Sequence, residues 1–141
     1  MTSQVEALLA SGYKQLDMDE PFEVLVGPFY MKENEDGTYR SAFVAEEKHT
    51  NAMGVVHGGL LMSFADYSLF SIARGHDIPR SVTIGFNSEF VSGGMVGEVI
   101  ESTGEVVRAT RSLVFVRGTL FSGDRTILSF SGILKRAYEA K

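Results

Sequence analysis

One segment constrains this chain more than any other. From Gly58 to Arg74 the sequence reads GGLLMSFADYSLFSIAR, its single long helix candidate. Apolar residues fall on nearly every side of it: Leu60, Leu61, Met62, Phe64, Ala65, Leu69, Phe70, Ile72 and Ala73. A helix that is apolar all round has to be buried, so the rest of the chain must supply its cover. What remains is strand-like. Residues 24–31 and 38–46 flank an Asp36-Gly37 turn signal and read as a hairpin. Four more runs follow the helix, at 81–91, 96–108, 112–121 and 125–134, the last two joined by Ser122-Gly123-Asp124. In the first of these, Val82, Ile84, Phe86, Ser88 and Phe90 alternate with Thr83, Gly85, Asn87 and Glu89, which predicts two distinct faces. Residues 2–11 add a short amphipathic helix, with Val5, Leu8 and Leu9 on one side and Gly12 just past its end. The expected fold class is α+β: an antiparallel sheet wrapped around one long central helix, with a short N-terminal helix.

The chain of 141 residues fits one domain, expected to span 1–141 with residues 1–20 as a helical extension. A net charge of −5 argues against a nucleic-acid partner, because phosphate affinity is built from excess Lys and Arg. No apolar run reaches the length of a membrane span, and the first residues show neither a basic region nor a long apolar stretch, so neither a membrane nor a secretory signal is expected. Cysteine is absent, which removes disulfides and thiolate chemistry together and is compatible with a cytoplasmic location. One sheet and one helix cover each other on one side only. The apolar surface left over predicts at least a homodimer, with a homotetramer also open.

Asp66 is the one charged residue between Gly58 and Ala73. Burying a carboxylate there is costly unless a partner or a function compensates. A structural Asp bonded to backbone or to a Tyr carries equal weight on this residue alone. His57-Gly58-Gly59 stands directly before the helix, where backbone N–H groups are unpaired and bear positive partial charge. Glycines at 58 and 59 let a carbonyl oxygen approach those donors, the construction an oxyanion hole needs. From His57 to Asp66 a helix turns by about 900° and rises about 13–14 Å, so the two lie far apart on opposite sides. They complete one site only if a second copy supplies the missing half. No G-x-S-x-G motif and no metal-ligand spacing is present, so Ser-hydrolase and metal-hydrolase chemistry are poor readings and no cofactor is expected.

The stretch N-x-x-G-x-x-H-G-G-x-x-x-x-x-x-D, from Asn51 to Asp66, resembles the hotdog-fold acyl-CoA thioesterases of the phenylacetic-acid-pathway type, and the likeness covers roughly residues 22–135. The resemblance implies that Asp66 is the general base or nucleophile and that the Gly58 N–H polarises the thioester carbonyl. It implies that Asn51 helps hold the carbonyl or water, that His57 stands among the catalytic residues, and that Thr83 helps place the water. Gly85 stands where a family strand often carries Asp. Gly59, Arg108 and Arg111 are candidates for binding substrate, the arginines through the CoA phosphates, with Arg74 and Arg80 behind them; two arginines at a solvated strand junction is the competing reading. Met53, Phe64, Tyr67 and Phe70 are candidates for an acyl pocket. The expected function is hydrolysis of an aryl- or medium-chain acyl-CoA. A non-catalytic acyl-CoA-binding module is the alternative, and a hotdog hydratase ranks below it because its Pro-containing pattern is missing around His57.

Overall fold

The structure is a computed structural model that describes residues 2–16, 19–78 and 80–137. In chain order the elements are α1 (Ser3–Ala10), α2 (Pro21–Val26), β1 (Tyr30–Glu33), β2 (Tyr39–Val44), a 3₁₀ turn (Glu47–His49), α3 (Gly58–Ile72), β3 (Ser81–Phe90), β4 (Val99–Ala109), β5 (Leu113–Ser122) and β6 (Arg125–Arg136). The six strands form one antiparallel sheet in the order β1-β2-β4-β5-β6-β3. The sheet curls around α3, as the apolar circumference of that helix demands. This is the hotdog arrangement.

Eight of the fifteen residues of α3 are buried, and Phe64, Ala65 and Leu69 have no exposed surface. Two glycines on the sheet let the helix come this close. A Cβ at Gly104 would stand 2.7 Å from Ile72 Cδ1, and one at Gly132 would collide with the Leu69 side chain. The polar residues between helix and sheet are paired. Ser41 on β2 bonds the hydroxyls of Ser68 and Ser71 on α3 and of Ser102 on β4, at 3.0, 3.2 and 2.6 Å. That cluster stitches helix to sheet with each of its four buried hydroxyls satisfied.

The structure corrects the sequence reading at two places. Residues 24–26 belong to a helix rather than a strand: α2 starts with Pro21 in its first turn and stops at Gly27, so the predicted run at 24–31 keeps only Tyr30 and Met31 in β1. Val24, Leu25 and Val26 look strand-like, but a six-residue helix is too short for its periodicity to show. Strand β3 does not alternate strictly. A bulge places Thr83 opposite Leu134 and Gly85 opposite Ile133, leaving Ile84 as the extra residue. Val82 and Ile84 are therefore 52% and 54% exposed, while Thr83 turns inward on one side of the bulge and Phe86 packs on the core beyond it.

The two sheet edges differ. On β1, Met31 is bridged to Lys14, which covers that edge. Strand β3 pairs only with β6 and presents its other edge bare among the described residues. Among the described residues no helix is long and apolar enough to cross a membrane.

Candidate active site

The donor end of the site is built by the loop before α3. Asn51 accepts the Met53 and Val55 N–H groups on its Oδ1, at 2.9 and 3.3 Å, and its own N–H bonds the Val55 carbonyl at 2.8 Å. This closes the 51–55 turn. The next segment is held from both sides. Val56 N–H donates to the Gly94 carbonyl and His57 N–H to the His49 carbonyl, both at 2.8 Å. His57 is the N-cap of α3, and its Nδ1 accepts the Gly59 N–H at 2.8 Å. The Gly59 amide is thus occupied, and the Leu60 and Leu61 amides bond the His57 carbonyl. Among the described residues no acceptor takes the Gly58 N–H. It is the open donor of the helix terminus, with the Phe90 ring next to it: a Cβ at Gly58 would lie 3.1 Å from that ring.

The carboxylate end sits two turns further along α3. Asp66 is half-buried, and the Thr83 hydroxyl donates to its Oδ1 at 2.6 Å. The turn that carries it is fixed by aromatic contacts. Tyr67 packs on Phe29 and Phe64, with ring centroids 5.1 and 6.2 Å apart. The inward phase of Thr83 comes from the strand segment before the bulge, which is what brings its hydroxyl to the helix. Asp66 opens into a cleft of about 750 Å³, within the range of small-molecule sites. Tyr67, Phe70, Met31 and Ile78 supply its apolar wall, while Glu20, Glu23, Asp77 and Arg74 supply charge at its mouth. The Arg74 guanidinium stands over the Tyr39 ring, 5.2 Å from its centroid.

The structure therefore brings Asp66 and Thr83 together, and separately groups Asn51, His57, Gly58 and Gly59. Within one chain the two groups stay apart, since eight residues of helix between Gly58 and Asp66 rise about 12 Å. Of the four residues named for an acyl pocket, Tyr67 and Phe70 line this cleft, whereas Phe64 lies in the core and Met53 is 85% exposed on the 51–55 loop. Arg108 and Arg111 lie exposed at the β4–β5 junction, outside this cleft. They share the end of the sheet that carries Thr83, because Ala109, Val114, Leu134 and Thr83 pair in one row. Three strand spacings separate Thr83 from Ala109, about 14 Å. The sequence reading missed the contribution of α2, Glu20 and Glu23 at the cleft, and that of His49. Pro21 ahead of an apolar run was the available signal for α2.

With this geometry in place, the comparisons with known proteins are specific. The thioesterase superfamily pattern matches residues 53–129, which include Gly58, Asp66 and Thr83. A Pseudomonas aeruginosa protein that carries an esterase name is 32% identical over 124 residues, covering 86% of this chain and 92% of its own. Human acyl-coenzyme A thioesterase 13 is 29% identical over 119 residues, 82% of each chain. Among solved structures, a point mutant of the phenylacetic acid degradation protein PaaI from Thermus thermophilus superimposes with a TM-score of 0.74 at 19% identity, over 84% of this chain and all of that one, a likeness of fold. The chain belongs to the thioesterase superfamily.

Proposed function

We propose that this protein hydrolyses acyl-CoA thioesters in a site shared by two chains, Asp66 of one facing the Gly58 amide of the other. The observation that carries the reading is the pairing of a half-buried carboxylate, held by Thr83 in an apolar-walled cleft, with an open amide on the same helix that the same carboxylate cannot reach. A two-fold arrangement of α3 beside its copy places each base at the other's helix start, twice over. The bare β3 edge, with Val82 and Ile84 exposed beside it, is the surface for that pairing. The human relative named as an acyl-coenzyme A thioesterase supports the substrate class.

The chemistry follows from these groups. The thioester carbonyl oxygen accepts the Gly58 N–H, with the positive end of α3 behind it, and Asn51 and His57 keep that donor in place. Asp66, oriented by Thr83, draws a proton from water. The water oxygen bonds to the carbonyl carbon, and the oxyanion is held by the amide. Collapse of the intermediate breaks the C–S bond, and the proton passes to the departing CoA sulfur. A thiolate leaves readily, so no metal is required by this route.

The cleft beside Asp66 suits an aryl or medium-chain acyl group lying along Tyr67, Phe70, Met31 and Ile78. Arg108 and Arg111 are the proposed contacts for CoA phosphates, on the sheet end that carries Thr83, and a cytoplasmic setting accords with the absence of cysteine. Free thiol release from a panel of acyl-CoAs tests the proposal. Release by the wild type that is lost in Asp66→Asn supports it. Binding without release points instead to a non-catalytic acyl-CoA module.

A further inference from the structure

Strand β3 touches both halves of the candidate site. At one end the Thr83 hydroxyl bonds Asp66. At the other stands Phe90, the last residue of the strand. Its backbone is fixed by pairing with Leu128, and just beyond it the Val91 and Ser92 N–H groups both donate to the Ile127 carbonyl, at 2.8 and 3.1 Å. Past the bulge, Phe86, Ser88 and Phe90 share one side of the strand. Phe86 packs on the core, whereas Phe90, beside the first residue of α3, is 55% exposed.

The Phe90 ring lies where a side chain of residue 58 would have to go. A Cβ on Gly58 would stand 3.1 Å from both Cε1 and Cζ of that ring, tighter than ordinary van der Waals contact. The missing Cβ at position 58 thus has a use besides the approach of a carbonyl oxygen. It lets an aromatic ring settle against the residue whose N–H is open. Gly58 is half-buried, although His57 just before it is exposed. A phenyl ring offers the amide no strong acceptor and keeps water from one side of it. A fixed donor is worth more to a developing negative oxygen where water is excluded, because the local dielectric is lower.

We propose that Phe90 is a positioning residue of the oxyanion donor: its ring covers the Gly58 amide, keeps water off it and so strengthens the hydrogen bond from that amide to the oxyanion. This rests on the acyl-CoA reading above. Phe90 makes no bond to the reacting atoms and acts through Gly58. In the two-chain site each pocket then draws one residue of β3 from each chain, Thr83 beside the base and Phe90 beside the donor.

Thiol release at saturating acyl-CoA separates this role from packing alone. Phe90→Ala opens the amide to water, and kcat is expected to fall about tenfold with KM within about threefold of wild type. Phe90→Leu keeps an apolar cover, so kcat is expected to return to within about twofold of wild type. Unchanged kcat in folded Phe90→Ala overturns the proposal, as does a loss carried by KM alone or an equal loss of kcat in Phe90→Leu. Should Phe90→Ala fail to fold, Phe90→Gln keeps much of the bulk and brings a polar group that competes for the Gly58 N–H. The same loss of kcat is expected there, and its absence overturns the proposal.

A second readout needs no turnover and keeps this test apart from the thioesterase reading. Exchange of the Gly58 N–H with solvent, followed by NMR, is expected to speed up about tenfold in Phe90→Ala and to stay near the wild-type rate in Phe90→Leu. An unchanged rate in Phe90→Ala overturns the cover. Faster exchange there, with no CoA released by the wild type, upholds the cover and overturns hydrolysis alone.

Discussion

Two helices border the same cleft and are built in opposite ways. The longer, α3, buries eight residues, is capped by His57 and is stitched to β2 and β4 through four serine hydroxyls. The shorter, α2, buries none and turns Phe22, Val24 and Leu25 toward solvent, each more than half exposed. The proposed reacting groups, Asp66 and the Gly58 N–H, both ride on the buried element. The shorter helix brings a single carboxylate to the cleft, Glu23, with Glu20 just before it. Placing both proposed groups on the buried helix suits a donor that loses most of its effect when misplaced by an ångström.

The sharpest way to break this contrast is to remove function from α3 without unfolding it. Asp66→Asn keeps the shape and the bond from Thr83 but removes the base, so kcat should fall by about 10²- to 10⁴-fold with Tm nearly unchanged. Comparable activity in the purified variant would move the chemistry off α3. Gly58→Pro is the matching change at the donor end. Proline is well tolerated at the first position of a helix, and the extended φ −60, ψ 133 of His57 suits a residue before proline. The N–H is lost and the added ring carbons press on the Phe90 side chain, 3.1 Å from the Cβ position; kcat should drop by about 10²-fold or more while the circular dichroism of the helix is preserved.

Stability measurements sharpen the same comparison. Phe64→Ala in α3 should cost about 3–5 kcal/mol in urea unfolding, because a fully buried ring leaves a cavity that α3 and the sheet cannot collapse into. Leu25→Ala in α2, 72% exposed, should stay within about 0.5 kcal/mol. Equal losses would contradict the contrast between a helix that buries eight residues and one that buries none. Thr83→Val, which removes the hydroxyl from Asp66 at constant shape, should lower kcat by about tenfold and leave KM near wild type.

The smallest effect concerns the loop beside the donor end. Arg125 bonds both oxygens of Glu98, at 2.7 and 2.8 Å, and Glu98 also accepts the Met95 N–H at 2.7 Å. The hydrogen bond from Arg125 holds the Glu98 carboxyl below its usual value near 4.5. A carboxyl depressed in the folded state adds stability above its unfolded value and loses it as pH falls through the folded one. Glu98→Gln should therefore flatten the fall of Tm with pH below about 4.5, while the wild type shows the full slope.

Much of this was legible in the sequence, for reasons that differ by element. The circumference of α3 announced a wrapped helix, and the turn signals at Asp36-Gly37 and Ser122-Gly123 marked hairpins that the structure contains. The spacing from Asn51 to Asp66 singled out the two groups of residues from which the candidate site is built, and Thr83, implied by the resemblance to help place water, bonds Asp66. What stayed hidden was short-range or three-dimensional. A six-residue helix has too few turns to reveal its period, so Val24 to Val26 read as strand. The bulge at Ile84 left no mark in an alternating run, although it decides which side chains of β3 face α3. His49 gave no signal at all, because a histidine that bonds two backbone groups across 23 residues looks like any other in a linear string.

The central claim is that each working pocket takes its base from one subunit and its amide donor from the other. Mixing tests it. Asp66→Asn and Gly58→Pro chains are each prepared inactive, then dissociated and reassociated together in equal amounts. Random pairing makes half the dimers mixed, and each mixed dimer holds one intact pocket of its two, so thiol release should recover to about a quarter of the wild-type rate. A mixture that stays as inactive as its two components would place both groups in the same chain's pocket and contradict the account.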